Sequence, residues 1–300
     1  MKDIPIYGIT EFTEADLSKV LYVNNLKKHL ATHQFVNHPH KHSTYITVFF
    51  TSGEGTHEID FQTYPVQPGS LFLLTPGQVH CWNLSDDADG FVVFHTEDFY
   101  NNAFLTRKIS DFPFFYLQTN YPVVYLSSVE QAILSPIFQW IYEESQHERP
   151  FKSQKLISLI DVLYIELARV YTDNRPVGDY YSHNYVQIKK LEKLIEENFR
   201  TLKLPKEYAD AMNMTTRHLN RICQQSLNQS TGKLILTRII IEAKRMLVHS
   251  DTSVNAVADY LGYEDYSYFV RLFKKEVGET PKQFQLRLAS ERASERVSLF

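Results

Sequence analysis

Cysteine is nearly absent: the 300 residues hold two, Cys81 and Cys223. Two thiols build neither a disulfide framework nor a cysteine zinc cage. No apolar run reaches the roughly 18–20 residues needed to cross a bilayer. The first twenty residues carry acids and no continuous apolar stretch, so a secretory leader is not expected there. Also missing are a P-loop, a G-x-S-x-G elbow and a G-x-G-x-x-G turn after a strand, which speaks against the common phosphate-, acyl- and dinucleotide-handling enzymes. The hydrophobic share of 43% and charged share of 22% are ordinary globular values, so neither a fibre nor a disordered chain fits. The expectation is a soluble, cytoplasmic protein long enough for two domains.

Charge is divided unevenly along the chain. Up to Asn184 there are 12 Lys/Arg against 21 Asp/Glu, and from Tyr185 onward 19 against 14. The two balances, −9 and +5, account for the formal net charge of −4. An acidic front and a basic back point to two units with different partners, the back one suited to a polyanion.

Residues 45–95 read as β-structure. Tyr45–Thr51, Gly69–Thr75 and Phe91–Phe94 are short β-branched and aromatic runs. Turn chemistry at Ser52–Gly55, Gln67–Gly69, Pro76-Gly77 and Ser85–Gly90 separates them. Such spacing predicts a sandwich or small barrel rather than a parallel βαβ sheet. From Ser127 the period changes. Ile133, Leu134, Ile137, Phe138 and Ile141 predict an amphipathic helix over Ser128–Glu148. Leu156, Ile157, Ile160, Leu163, Tyr164 and Leu167 predict another over Lys152–Tyr171, with Arg149-Pro150 between them. This hairpin can simply cover the β-unit, or part of its apolar face can meet a second copy of the chain, which is the expectation here. Thr172–Asn184, with Pro, Gly, Asn and Asp and no helical period, reads as the interdomain linker.

Beyond the linker the chain repeats itself with a period near 50 residues. Tyr208–Met214 is echoed by Val257–Tyr263, Leu219–Arg221 by Phe269–Arg271, and Leu227–Ser230 by Val277–Thr280. Each copy has helix-turn-helix logic: a small residue for close packing (Ala209, Ala258), a turn at a residue that tolerates positive φ (Asn213, Gly262), then an N-cap (Thr215, Asp265). In the second helix of each copy Leu219, Ile222 and Cys223, or Phe269, Leu272 and Phe273, are expected inside. Thr216, Arg217, Asn220, Arg221 and Gln224, then Tyr266, Ser267, Val270, Arg271 and Lys274, are left outside. Arg bonds bidentately to guanine, Asn and Gln to adenine, and hydroxyls and Lys to phosphate, so these ten residues are the candidate DNA contacts. A solvated helix face is the plainer alternative. The Arg repeated at the same point of both copies argues against it.

The run Ser253–Pro281, with its LGY-x-D-x-SYF-x-R-x-FKK-x-x-G-x-TP pattern, resembles the C-terminal signature of the AraC/XylS family of transcription regulators. Arg238, Ala243 and Leu247 resemble the long helix that links the family's two helix-turn-helix units. The resemblance covers about Tyr185–Leu288 and implies two recognition helices entering successive major-groove segments of double-stranded DNA. Cys223 departs from the family's usual Phe and Gln285 from its usual Arg, which puts the packing of the first unit and one phosphate contact in doubt.

In the front half, His38, His40 and His42 alternate, and His80 follows Pro76-Gly77. These resemble the two motifs of a cupin barrel, whose metal site needs two His, a carboxylate and a last His. The carboxylate is missing: Thr47 or Val48 stands near its place, while Glu54 and Glu58 lie farther along. Three imidazoles alone can hold zinc. The resemblance to AraC-type sensing domains nevertheless implies a small organic effector, so His40, His42, His80 and Trp82 are candidate effector contacts. No metal, cofactor or catalytic residue is assigned. Aromatic stretches such as Phe112–Tyr116 are candidate pocket walls.

The expectation is therefore multidomain: a cupin-like β-barrel sensing domain over 1–126, a dimerising helical hairpin over 127–171, a linker over 172–184, an all-α DNA-binding domain with two helix-turn-helix units over 185–288, and a tail over 289–300. The expected function is an effector-responsive transcription regulator, more often an activator in the family, acting as a homodimer with RNA polymerase as a further candidate partner. The alternatives are a metal-dependent cupin enzyme with a DNA-binding appendage, and a DNA binder without a ligand.

Overall fold

A computed structural model describes residues 5–12, 19–33, 38–104, 106–115, 122–173, 183–249 and 252–297. The chain divides into two compact units, Pro5–Pro176 and Val177–Phe300.

The first unit carries strands β1 (Ile6–Tyr7), β2 (Leu21–Asn25), β3 (His40–His42), β4 (Tyr45–Ser52), β5 (Gly55–Ile59), β6 (Gln62–Val66), β7 (Ser70–Leu74), β8 (Val79–Leu84), β9 (Asp89–His95) and β10 (Val123–Tyr125). Short helices α1 (Leu26–Thr32) and α2 (Glu97–Asn101) follow β2 and β9, and the long pair α3 (Ser128–Ser145) and α4 (Lys152–Asp173) ends the unit. One sheet has the order β1-β3-β8-β5-β6 and the other β10-β7-β4-β9-β2. The pairings are antiparallel except β1 with β3. The expected cupin-like barrel is thus built as two facing five-stranded sheets.

Strand β4 shows how the layers form. Ile46, Val48 and Phe50 face the space between the sheets, packing with Phe72, Leu74, Val92 and Phe94, and with Ile59, Val66 and Trp82 of the opposite sheet. Tyr45 and Phe49 face the other way, into a core shared with Leu134, Phe138 and Ile141 of α3 and Ile160, Leu163 and Tyr164 of α4. A strand covered on both faces needs apolar side chains at every position, which is why Tyr45–Phe50 shows little alternation. Each fully buried Phe or Val stabilises the fold by about 1.5–3 kcal/mol.

Helix α3 starts at a capping box: Ser127 Oγ accepts from the Glu130 amide, and the Glu130 carboxylate accepts from the Ser127 amide. It ends at Ser145, three residues before the predicted Glu148. Leu134, Ile137, Phe138 and Ile141 are buried, whereas Ile133 stays exposed. Helix α4 is tied to the sheet through a buried histidine. His95 Nδ1 donates to the Thr96 carbonyl (2.8 Å), so Nε2 must accept from the Tyr164 hydroxyl (2.8 Å).

The second unit is helical: α5 (His183–Asn198), α6 (Pro205–Ala211), α7 (Thr216–Leu227), α8 (Thr231–His249), α9 (Val254–Tyr260), α10 (Tyr266–Val277) and α11 (Pro281–Val297). Ala243 and Leu247 of α8 are buried. Arg238 fixes α8 against α5 by pairing with Glu196 (2.6 Å) and stacking on the Phe199 ring 4.0 Å away.

Two boundaries differ from the sequence reading. Helix α4 runs to Asp173 and α5 starts at His183, so the expected linker 172–184 overlaps both helices; residues 174–182 lie outside the described residues. The expected tail from Ala289 is instead a continuation of α11 to Val297. Its Ala, Glu and Arg are strong helix formers, and neither Gly nor Pro interrupts them. Residues 298–300 lie outside the described residues.

Candidate DNA interface and histidine cluster

The two helix-turn-helix copies match feature for feature. Ala209 and Ala258 are buried, and their carbonyls accept from the amides of Met214 (3.0 Å) and Tyr263 (2.9 Å) across the turn. The turn residues take positive φ, 54° at Asn213 and 76° at Gly262. Thr215 and Asp265 then cap α7 and α10 through their side chains, and Asn228 and Gly278 end those helices in the left-handed conformation. Local chemistry alone sets these four points in each copy: small residue, turn, N-cap, C-cap.

Leu219, Ile222, Cys223, Phe269 and Phe273 are buried. Thr216, Arg217, Asn220, Arg221 and Gln224 are exposed on α7, as are Tyr266, Ser267, Arg271 and Lys274 on α10. Two positions depart from the expected division. Leu272, expected inside, and Val270, expected outside, are both half-buried. Val270 follows Phe269 and Leu272 precedes Phe273 by one position, which on a helix places them on the two flanks of the buried Phe269–Phe273 seam.

Several of these polar groups already hold bonds within the domain. Asn220 Oδ1 accepts from the Thr231 amide (2.9 Å) and so caps α8. Arg221 Nη2 donates to His218 Nδ1 (3.0 Å), and Gln224 Nε2 to Asn228 Oδ1 (2.9 Å). Arg271 stands 3.9 Å from Asp265 Oδ2, a loose and solvent-exposed pair. Helix α7 has Arg217 and Arg221 and no acid. On α10 the one acid, Glu276, is occupied by Lys233 of α8 (2.6 Å). The exposed faces therefore carry positive charge with polar groups capable of base-edge bonding.

In the first unit, strand pairing gathers the histidines. His40 is directly opposite His80 on β3 and β8, and His57 is opposite Trp82 on β5 and β8. Alternation turns His40, His42, His57, His80 and Trp82 inward, and all five are buried. The ring centroids of His40 and His80 are 4.3 Å apart, of His40 and His42 4.8 Å, and of His42 and His80 5.2 Å. His57 Nε2 lies 2.9 Å from His80 Nδ1. His38 is exposed; its carbonyl accepts from His40 Nδ1 (2.8 Å). Phe94 and Phe12 close over His42, and His29, held by the Tyr22 hydroxyl (3.0 Å), flanks Trp82.

Burial makes protonation costly here. It pushes His40 down to about 4, His29 to about 3 and His42 to about 2, and carries His57 and His80 well below the ordinary value, with the neighbouring imidazoles adding repulsion. All are neutral near pH 7. Among the described residues, no carboxylate joins them. Thr47 points away, its hydroxyl bonded to Tyr164 (3.3 Å), Val48 faces inward but is apolar, and Glu54 and Glu58 are exposed. Phe112, Phe114 and Phe115 belong to the other core, against α4, and do not line this cluster; Tyr116 lies outside the described residues.

Residues 26–160 match the AraC-like ligand binding domain family, and residues 208–287 match a helix-turn-helix domain family. The chain belongs to the AraC family. Curated relatives agree over most of its length. The HTH-type transcriptional activator RhaR of Escherichia coli O1:K1 is 22% identical over 255 residues, 84% of this chain and 87% of its own. The arabinose operon regulatory protein of Salmonella typhimurium is 22% identical over 252 residues, 84% of this chain and 86% of its own. A solved structure of ToxT from Vibrio cholerae aligns with 89% of this chain and 98% of that one at 12% identity, TM-score 0.45. As an AraC-family member this chain is a DNA-binding transcription regulator with a ligand-binding domain. Among the described residues, no helix is long and apolar enough to cross a membrane.

The sequence reading missed His57 and His29. His57 had a usable signal, because Gly55, His57 and Ile59 alternate within one strand and must share a face. His29 had none, since only packing brings α1 over the cluster.

Proposed function

We propose that this AraC-family regulator reads duplex DNA through Thr216, Arg217, Asn220, Arg221 and Gln224 of α7 and Tyr266, Ser267, Val270, Arg271 and Lys274 of α10. A small organic effector binds beside His40, His42, His80 and Trp82 in the sensing domain, 1–126, and shifts the population able to hold two half-sites. The observation that carries this reading is the duplication itself: two capped helices, each buried on one side and each presenting an Arg-bearing polar face on the other. Specific recognition needs such a face, because phosphate contacts alone do not distinguish sequences.

The effector reading is supported by buried polar atoms of the cluster, among them Trp82 Nε1 and His57 Nδ1, that have no hydrogen-bond partner. Such groups are costly unless something satisfies them. The helical segment 127–171 is assigned to homodimer formation. Its support is the exposed apolar row Val129, Ile133 and Trp140 along α3, with Trp140 53% exposed. Activation of transcription follows the relative RhaR, a transcriptional activator; contact with RNA polymerase in the cytoplasm is part of the same proposal. The reading assigns no catalytic residue.

Selection of bound duplexes from a random pool by the full-length chain tests the DNA reading. A defined bipartite site is expected, and an unenriched pool refutes it. For the effector, a panel of sugars, aromatic acids and fatty acids is titrated against the blue edge of tryptophan emission, where buried Trp82 reports. A saturable change with an accompanying shift in DNA affinity is expected. Allostery requires unequal binding to the two states, so a bound compound that leaves DNA affinity unchanged is not the effector.

A further inference from the structure

The side chains of His40, His42 and His80 each offer a nitrogen, and these three atoms lie within 4.8 Å of one another. Buried His42 Nδ1 and His80 Nε2 have no hydrogen-bond partner. Because His40 Nδ1 gives its proton to the His38 carbonyl, the lone pair of that ring sits on Nε2. His57 stands behind His80, and when His80 Nδ1–H donates to His57 Nε2, His80 Nε2 is left as a lone pair as well. An outer partner of this kind orients a ligating imidazole and raises its basicity. Tetrahedral zinc with bonds of about 2.05 Å separates its nitrogens by roughly 3.4 Å, so small ring rotations close the set.

We propose that His40, His42 and His80 bind one divalent metal of the zinc class through three imidazole nitrogens, leaving a coordination position for an effector oxygen. This deepens, and rests on, the reading of the same cluster as the effector site. Borderline nitrogen ligands without carboxylate suit zinc or cobalt and disfavour magnesium or calcium. His57 is a positioning residue that acts through His80.

The test uses the tag-free, full-length chain stripped with chelator and titrated with Co(II), then Zn(II) in competition. The expected result is one cobalt per chain with ligand-field absorption of tetrahedral intensity, displaced by zinc. His42→Gln and His80→Gln lower affinity by more than about 100-fold, beyond the loss of an outer partner. His57→Leu weakens binding by about 10–100-fold without abolishing the bands, and His57→Gln, which can still bond to His80, restores part of the loss. X-ray absorption of the zinc-loaded wild-type chain, which needs no variant to fold, should give three imidazole ligands. No cobalt bands, bands that survive both His42→Gln and His80→Gln, or fewer than three imidazoles each overturn the proposal. A compound from the panel that changes Trp82 emission in a chain that binds no cobalt overturns the metal alone. Cobalt bands with no response to any panel compound overturn the organic effector instead.

Discussion

The turn of the second helix-turn-helix offers a quantitative test, because two glycines there share a backbone conformation and differ in surroundings. Gly262 (φ 76°) and Gly278 (φ 92°) both lie in the left-handed region. A Cβ at Gly278 would meet nothing within 4 Å, whereas at Gly262 it would stand 2.2 Å from the Arg200 carbonyl oxygen. That segment cannot retreat cheaply, since Arg200 stacks on Tyr260 (3.9 Å) and its Nε donates to the Tyr260 carbonyl (3.0 Å). Gly278→Ala should therefore cost only the left-handed penalty, about 1–2 kcal/mol. Gly262→Ala adds an overpacking cost of about 1–3 kcal/mol, for a total of about 2–5 kcal/mol. Hydrogen exchange of α9 and α10 amides in the full-length chain measures the local opening free energy of each variant. Gly262→Ala should also lose affinity for the selected operator, and Gly262→Val should abolish it. Equal destabilisation by the two alanine substitutions refutes the close approach at Arg200, and normal operator binding by Gly262→Val refutes the role of the turn.

Arg221→Ala and Arg271→Ala should each weaken specific binding by about 1–3 kcal/mol and relax preference at particular base pairs. Gel shifts that show a uniform loss across sequences would place these side chains on phosphates instead. Asn220 serves two roles that substitution separates. Asn220→Ala removes the acceptor for the Thr231 amide and should destabilise by about 1 kcal/mol, while Asn220→Asp keeps stability in urea titration but loses affinity for adenine-containing sites. Acid should loosen the sensing domain, and His95 lets the sign be worked out. Burial lowers His95 to about 4 from an ordinary 6.5, although its bond to the Thr96 carbonyl pushes the other way. Above pH 6.5 both states are neutral and full stability is present. As pH falls toward 4 only the unfolded chain takes the proton, and about 3 kcal/mol is lost from this group. His95→Gln should flatten the pH dependence of thermal unfolding in that window, and an unchanged slope would refute the assignment.

The DNA-binding unit was legible in the residues because its determinants are local. A helix of 12 residues announces its cap, buried seam and exposed face within its own segment, and duplication shows the same signals twice. Helix ends were harder to read. The polar residues from Ala289 have no apolar period, so propensity, which extends α11 to Val297, was outweighed in the reading by pattern. Asn220 was read as a DNA contact only, because its bond to Thr231 joins residues eleven apart across a turn.

The histidine cluster divides the other way. The alternating His40 and His42, and the isolated His80, stand in the primary structure with enough context to be singled out. Only strand registry places His40 opposite His80, sets His57 behind it, and turns Thr47 toward Tyr164 and away from the imidazoles. A one-residue shift of any of these strands would exchange inward and outward faces, and no local property of the segments encodes which partner they meet. Residue type and period therefore told where chemistry could reside. The pairing of distant strands decided which of those side chains share one buried space, because burial and registry belong to the assembled sheets and not to any single stretch of chain.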